Sequence, residues 1–138
     1  MLDLNDELKQ RLLAASLQAR AHSHSPYSGY AVGAAILDEQ GRIHLGANME
    51  NAAYPQGWCA EASALAAMRM AGGQRALAVL VTGPGPDLIT PCGGCRQKLR
   101  EFAAQDLVII AGDPTGIKQQ WTLEQLLPFS FGPEHLKL

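Results

Sequence analysis

Leu8, Leu12, Ala15 and Ala19, flanked by Leu13 and Leu17, recur with the period of one helix face and predict an amphipathic helix over residues 5–21. Asp3, Asn5 and Asp6 provide capping oxygens and favourable charge at its start. Pro26 and Gly29 mark a loop over 23–29, after which apolar runs at 30–37 and 42–48 flank Asp38-Glu39-Gln40-Gly41, the pattern of a β-hairpin. A second loop contains Pro55 and Gly57. The run 59–71 is rich in Ala, Leu and Met and stops at Gly72-Gly73, which predicts a buried helix with a glycine stop. A strand at 77–82 leads into the loop Gly83-Pro84-Gly85-Pro86-Asp87, and Pro91-Cys92 opens a helix that runs to about residue 103. Strands at 107–111 and 117–121 follow, separated by Gly112-Asp113-Pro114-Thr115-Gly116. Thr122-Leu123-Glu124-Gln125 is a capping box for a short last helix that Pro128 ends.

The order is helix, two strands, helix, strand, helix, two strands, helix, which predicts an α/β layered domain around one mixed sheet. With 138 residues, 47% of them hydrophobic, and no repeat or linker, residues 1–138 are expected to form one domain. The 11 basic and 13 acidic residues are interspersed and leave a formal charge of −2, so no footprint for nucleic acid is present and a small-molecule partner fits better. No apolar run approaches the roughly 20 residues of a membrane helix. The N-terminus lacks the basic start and apolar stretch of a secretory signal, so a cytoplasmic location is expected.

Three cysteines are too few for a disulfide framework, and their places point to chemistry. Cys59 and the pair Cys92 and Cys95 each stand at a predicted helix start, where unpaired N–H groups and the helix dipole favour a thiolate. Two such helix ends facing each other would surround one cation with three sulfurs. Without an obvious fourth ligand, this set suits an open catalytic zinc site, in which the fourth position is left for water. Glu61, two residues after Cys59, points to another side of its helix and is available as a general acid and base. His22, His24, His44 and His135 have no ligand spacing to the cysteines and read as structural or surface residues. Two other readings of the cysteines are a closed structural zinc module, which needs a fourth ligand such as His24 or His44, and a thiol redox protein using Cys92 and Cys95. The second leaves Cys59 and Glu61 without roles.

Cys59-Ala60-Glu61 and Pro91-Cys92-Gly93-Gly94-Cys95 match the ligand, glutamate and Pro-Cys-x-x-Cys signature of zinc deaminases. With Pro26-Tyr27-Ser28, Val32-Gly33-Ala34-Ala35, Asn48-Met49-Glu50-Asn51, Arg96-Gln97 and Leu126-Leu127-Pro128, the chain resembles the short, homotetrameric cytidine deaminases from about Pro26 to Leu136. The resemblance implies a three-layer fold with a five-stranded mixed sheet flanked by helices, one Zn2+ per chain, and hydrolysis of cytidine and deoxycytidine. It implies Cys59, Cys92 and Cys95 as metal ligands and Glu61 as proton shuttle. Asn48 and Glu50 would hold a sugar hydroxyl and Tyr30 would line the base pocket. The main-chain groups of Ala60 and Thr90 would touch the base, and Phe131 would cover the pyrimidine of a neighbouring subunit in a homotetramer with shared active sites. One position departs from the pattern. Ala62 replaces an arginine that many relatives place directly after the glutamate, so compensation of three thiolates falls to the helix ends or to another cation.

Overall fold

The computed structural model describes residues 4–136. Its elements follow the expected order: α1 (Asp6–Arg20), β1 (Gly33–Asp38), β2 (Ile43–Ala47), α2 (Ala60–Met70), β3 (Ala76–Thr82), α3 (Gly93–Glu101), β4 (Val108–Asp113), β5 (Gly116–Thr122) and α4 (Leu123–Leu126). Two short 3-10 turns, Tyr54–Gln56 and Pro133–Leu136, punctuate the second loop and the tail. Asn5 caps α1 by accepting from the Leu8 N–H at 2.8 Å, and the Thr122/Gln125 capping box on α4 is formed.

The five strands lie in the order β2-β1-β3-β4-β5. β1 pairs antiparallel with both β2 and β3, β3 pairs parallel with β4, and β4 pairs antiparallel with β5. Strand alternation divides the core in two. Ala35, Leu37, Ala78, Leu80, Val108 and Ile110 face Leu12 and Leu13 of α1. Ala34, Ile36, Val79, Val81 and Ile109 face Ala64, Leu65 and Met68 of α2, Leu99 of α3 and Leu123 of α4. The molecule is therefore helix, sheet and helices in three layers. Across the first interface, Ser16 on α1 and Thr82 on β3 are both fully buried and satisfy each other at 2.8 Å.

Two glycines set how close the helices come. An added Cβ at Gly33 would lie 2.1 Å from the Ser16 carbonyl oxygen, and one at Gly46 would lie 2.3 Å from the Ala64 nitrogen and 2.4 Å from the Ala60 oxygen. In both places backbone rests on backbone.

The first strand starts later than the apolar run suggests because Asn48 intervenes: its Nδ2 donates to the Tyr30 carbonyl and its Oδ1 accepts from the Val32 N–H, both at 2.9 Å. A side chain thus takes up ladder groups of residues 30–32. At the hairpin turn, buried Asp38 accepts from the main-chain N–H groups of Gln40 and Arg42, from Arg42 Nε and from His44 Nε2. Burial alone would raise its carboxyl pKa, but these hydrogen bonds prevail and hold it at about 2. His44 is thereby a structural partner of the turn.

Because Gly46 meets main-chain atoms that have no freedom to give way, Gly46→Ala is expected to lower stability by about 1–3 kcal/mol. Equilibrium denaturation against the parent chain measures it, and an unchanged midpoint would contradict backbone contact at this position.

Candidate active site and metal centre

β2 and β3 both run antiparallel to β1, so the chain leaves both at the same end of the sheet. The helices that follow, α2 and α3, pack on the same face and both begin near that end. This topology brings two helix N-termini together. Cys59 is the N-cap of α2 and Cys92 the N-cap of α3, and neither side chain accepts a capping hydrogen bond. Cys95 is buried in the first turn of α3.

The Sγ atoms of Cys59, Cys92 and Cys95 all lie within 4.8 Å of one another. A tetrahedral zinc with Zn–S bonds of about 2.3 Å requires sulfurs about 3.8 Å apart, so a small adjustment seats the ion. Burial raises the thiol pKa values of Cys59 and Cys95, whereas the main-chain N–H of Cys95 leads the groups that lower that of Cys92. A divalent cation would offset the cost of gathering three thiolates here. No histidine or carboxylate joins the cluster among the described residues. His44 is bound to Asp38, and neither His24 nor His44 brings a ring nitrogen into the cluster, so neither of the two histidines named for a closed structural site completes one.

A cavity of about 280 Å³ opens beside the sulfurs. It gathers Cys59, Cys92, Glu61, Ala60, Thr90, Tyr30 and Asn48 of the expected residues, and Val32, Val81 and Ile89 supply apolar walls. Glu61 is only 5% exposed. Burial raises its carboxyl pKa, against the opposing pull of its own main-chain N–H and the charge of Lys98. A buried carboxyl beside such a cluster is placed to take and return protons in the adjoining cavity.

Two expected residues lie elsewhere. Glu50 lines a neighbouring cavity of about 310 Å³ with Tyr27, Ser28 and Tyr54. There its Oε1 accepts from the N–H groups of Tyr27 and Ser28, and its Oε2 accepts from Ser28 Oγ; the serine hydroxyl leads the groups that lower its pKa. Phe131 lines neither cavity. It is 56% exposed and stacks on His135 with ring centroids 5.1 Å apart. Ala62 is buried beside a groove that also contains Trp58 and Lys98, and Lys98 Nζ lies 5.3 Å from the centre of the Trp58 ring.

Arg96 is a site residue whose part the sequence did not reveal. Its guanidinium donates to the Pro91 carbonyl at 2.7 Å, to Thr90 Oγ1 at 2.8 Å and to the Leu126 carbonyl at 2.7 Å, fixing the Thr90-Pro91 wall against α4. The motif places Arg96 after Cys95, but one of its partners is 30 positions away. Ser23, which bonds Asn48, stands in no motif, and Ser28, which bonds Glu50, stands in Pro26-Tyr27-Ser28 without a role legible from sequence.

Paired helix N-termini with three thiols, and a buried carboxyl in the adjoining cavity, define a zinc-dependent hydrolase site on a three-layer α/β fold. Residues 6–111 match the family described as the cytidine and deoxycytidylate deaminase zinc-binding region. The chain is 36% identical to a cytidine deaminase of Halalkalibacterium halodurans over 93% of this chain and 97% of that one. It is 39% identical to a cytidine deaminase of Mycobacterium tuberculosis over 86% of each. The crystal structure of cytidine deaminase from Burkholderia pseudomallei superposes with a TM-score of 0.83 at 34% identity, covering 88% of this chain and 98% of that chain. The chain belongs to the cytidine deaminase family, and its cofactor is zinc.

Purified protein is expected to carry one zinc per chain by elemental analysis, and Cys95→Ser is expected to lose both zinc and thermal stability, because binding of the ion is coupled to folding. Full zinc retention in that variant would remove Cys95 from the ligand set.

Proposed function

We propose that the protein hydrolyses cytidine and deoxycytidine to uridine and deoxyuridine with release of ammonia, in cytoplasmic pyrimidine salvage. The observation that carries this reading is the cluster of three cysteine sulfurs beside one cavity that buried Glu61 lines with Cys59 and Cys92, sized for a small heterocycle. Cys59, Cys92 and Cys95 would hold the zinc, which when bound would supply Lewis acidity that acidifies water at the site.

Glu61 manages the protons. Its carboxylate takes one from the water that attacks C4 of the cytosine ring and delivers it to N3. A C–O bond forms at C4; Glu61 then moves the remaining proton from the new C4 hydroxyl to the amino group, the C–N bond breaks as the C4 carbonyl forms, and the amine leaves as ammonia. The Thr90 carbonyl accepts from the departing amine and the Ala60 N–H donates to a ring-side oxygen. Tyr30, Val81 and Ile89 flank the planar base.

The sugar is read by what Asn48 and Glu50 have left to offer. Asn48 Oδ1 is occupied by Val32 and Ser23, and Nδ2 spends one of its two N–H groups on Tyr30. Glu50 Oε1 is likewise filled, while Oε2 has one partner. One amide donor and one carboxylate acceptor therefore remain, the complement of a hydroxyl that accepts and donates. The ionised Glu50 also repels phosphate, which favours free nucleosides over nucleotides.

The resemblance extends this reading to a homotetramer in which Phe131 covers the pyrimidine in a neighbouring subunit. Phe129 is fully exposed and Phe131 more than half exposed, aromatic surface that one copy alone leaves in water.

Loss of cytidine absorbance with purified protein, run beside cytosine and cytidine monophosphate, tests the activity. Turnover confined to the nucleosides is expected, and no turnover of cytidine by zinc-loaded protein would refute it. Glu61→Ala should keep its zinc and lose about 10²–10⁴-fold in kcat; loss of metal would make Glu61 a ligand instead. Deleting the tail from Phe129 onward should weaken association in sedimentation and raise KM while zinc stays bound. A fully active monomer would rule out the shared site.

A further inference from the structure

The C-terminal tail carries no helical or strand periodicity, yet it is fastened. Arg100, in the last turn of α3, is 5% exposed, and a cation removed from water must find its partners inside the protein. Among the described residues its side-chain hydrogen-bond partners lie in the tail: Nε donates to Ser130 Oγ at 2.9 Å and Nη2 to the Glu134 carboxylate. Gly132 lies against the guanidinium so closely that an added Cβ would sit 2.3 Å from Cζ. One turn earlier on the same helix, Gln97 Nε2 donates to the Phe131 carbonyl at 2.8 Å.

These contacts use the tail's main chain and polar side chains and leave its aromatics out. Phe129 has φ +54° and full exposure, and Phe131 rests only its face on His135. Neither ring lines this chain's own cavity, whose apolar walls of Val32, Val81 and Ile89 offer the kind of surface an aromatic ring covers. The arrangement is a rigid hook: polar groups hold the base and the rings face outward.

We propose that Arg100 is a positioning residue for nucleoside binding, pinning the tail to α3 so that its aromatics are presented to the cavity of a second copy of this chain. This rests on the shared-site reading given above. Arg100 touches no substrate, so its effect is expected on affinity and not on the chemical step. Its charge-assisted bond and its packing on Gly132 both serve the tail's placement.

The test uses full-length, zinc-loaded enzyme. Arg100→Met should raise KM for cytidine about tenfold, the scale of one lost charge-assisted hydrogen bond, with kcat at saturation nearly unchanged and one zinc per chain retained. Glu134→Gln alters a half-exposed side chain and leaves Arg100 in place, so it reports even if Arg100→Met folds poorly; a smaller rise in KM is expected. Arg100→Lys should recover part of the loss. If the parent enzyme assembles and tail deletion raises KM, but Arg100→Met and Glu134→Gln leave KM unchanged, the positioning role is overturned and the shared site stands. A fall in kcat with KM unmoved would also overturn it, by making Arg100 a structural residue. If the parent is a monomer indifferent to tail deletion, the shared-site reading itself fails, and the role of Arg100 with it.

Discussion

Holding three sulfur atoms within 4.8 Å of one another is the constraint around which this protein is built. Thiols at that spacing repel once ionised, and no covalent bond joins them. What gathers them is topology: two strands that run the same way deliver two helix starts to one end of the sheet. The N-cap positions then turn the Cys59 and Cys92 thiols toward Cys95 and toward each other, and the Cys95 N–H favours the thiolate of Cys92. Glu61 follows from the same geometry, because the residue two places beyond Cys59 on α2 turns into the cavity, where burial raises its pKa.

Helix α3 connects more of the molecule than its length suggests. Cys92 and Cys95 are at its start, Arg96 reaches back to Thr90 and across to α4, and Gln97 and Arg100 hold the tail. The sulfur cluster, the Thr90-Pro91 wall and the tail from Ser130 to Glu134 are thus tied to one short helix and its N-cap. Its polar side chains carry this work: Leu99 enters the core, while Arg96, Gln97 and Arg100 act as braces to loops.

Periodicity was a good guide to the elements because each helix has one buried stripe and β1, β3 and β4 are buried on both sides. The first strand begins at Gly33, later than its apolar run predicts, because Asn48 supplies hydrogen bonds that a strand neighbour would otherwise supply, and apolar patterning is blind to such substitution. The cysteines and Glu61 were legible because metal chemistry demands particular residue types at particular spacings. Arg100 was not, since its partners are 30 and 34 positions away and neither belongs to a motif. Glu50 and Phe131 carry recognisable neighbours in sequence, but lining a cavity depends on where loops close. In this chain both stand outside the cavity that holds Glu61.

The contact at Gly46 has a consequence for how the chain can change. α2 meets β2 there through main-chain atoms of Ala60 and Ala64, so the separation of helix and sheet is not set by the volume of any side chain. Substitutions deeper in the core, around Met68 or Ile36, can alter packing without levering the start of α2 toward or away from the sheet. Ala60 lies between Cys59 and Glu61, so the fixed point sits within a residue of both. The protein can therefore drift in core composition, and hence in stability, while the end of the helix that carries Cys59 and Glu61 keeps its place.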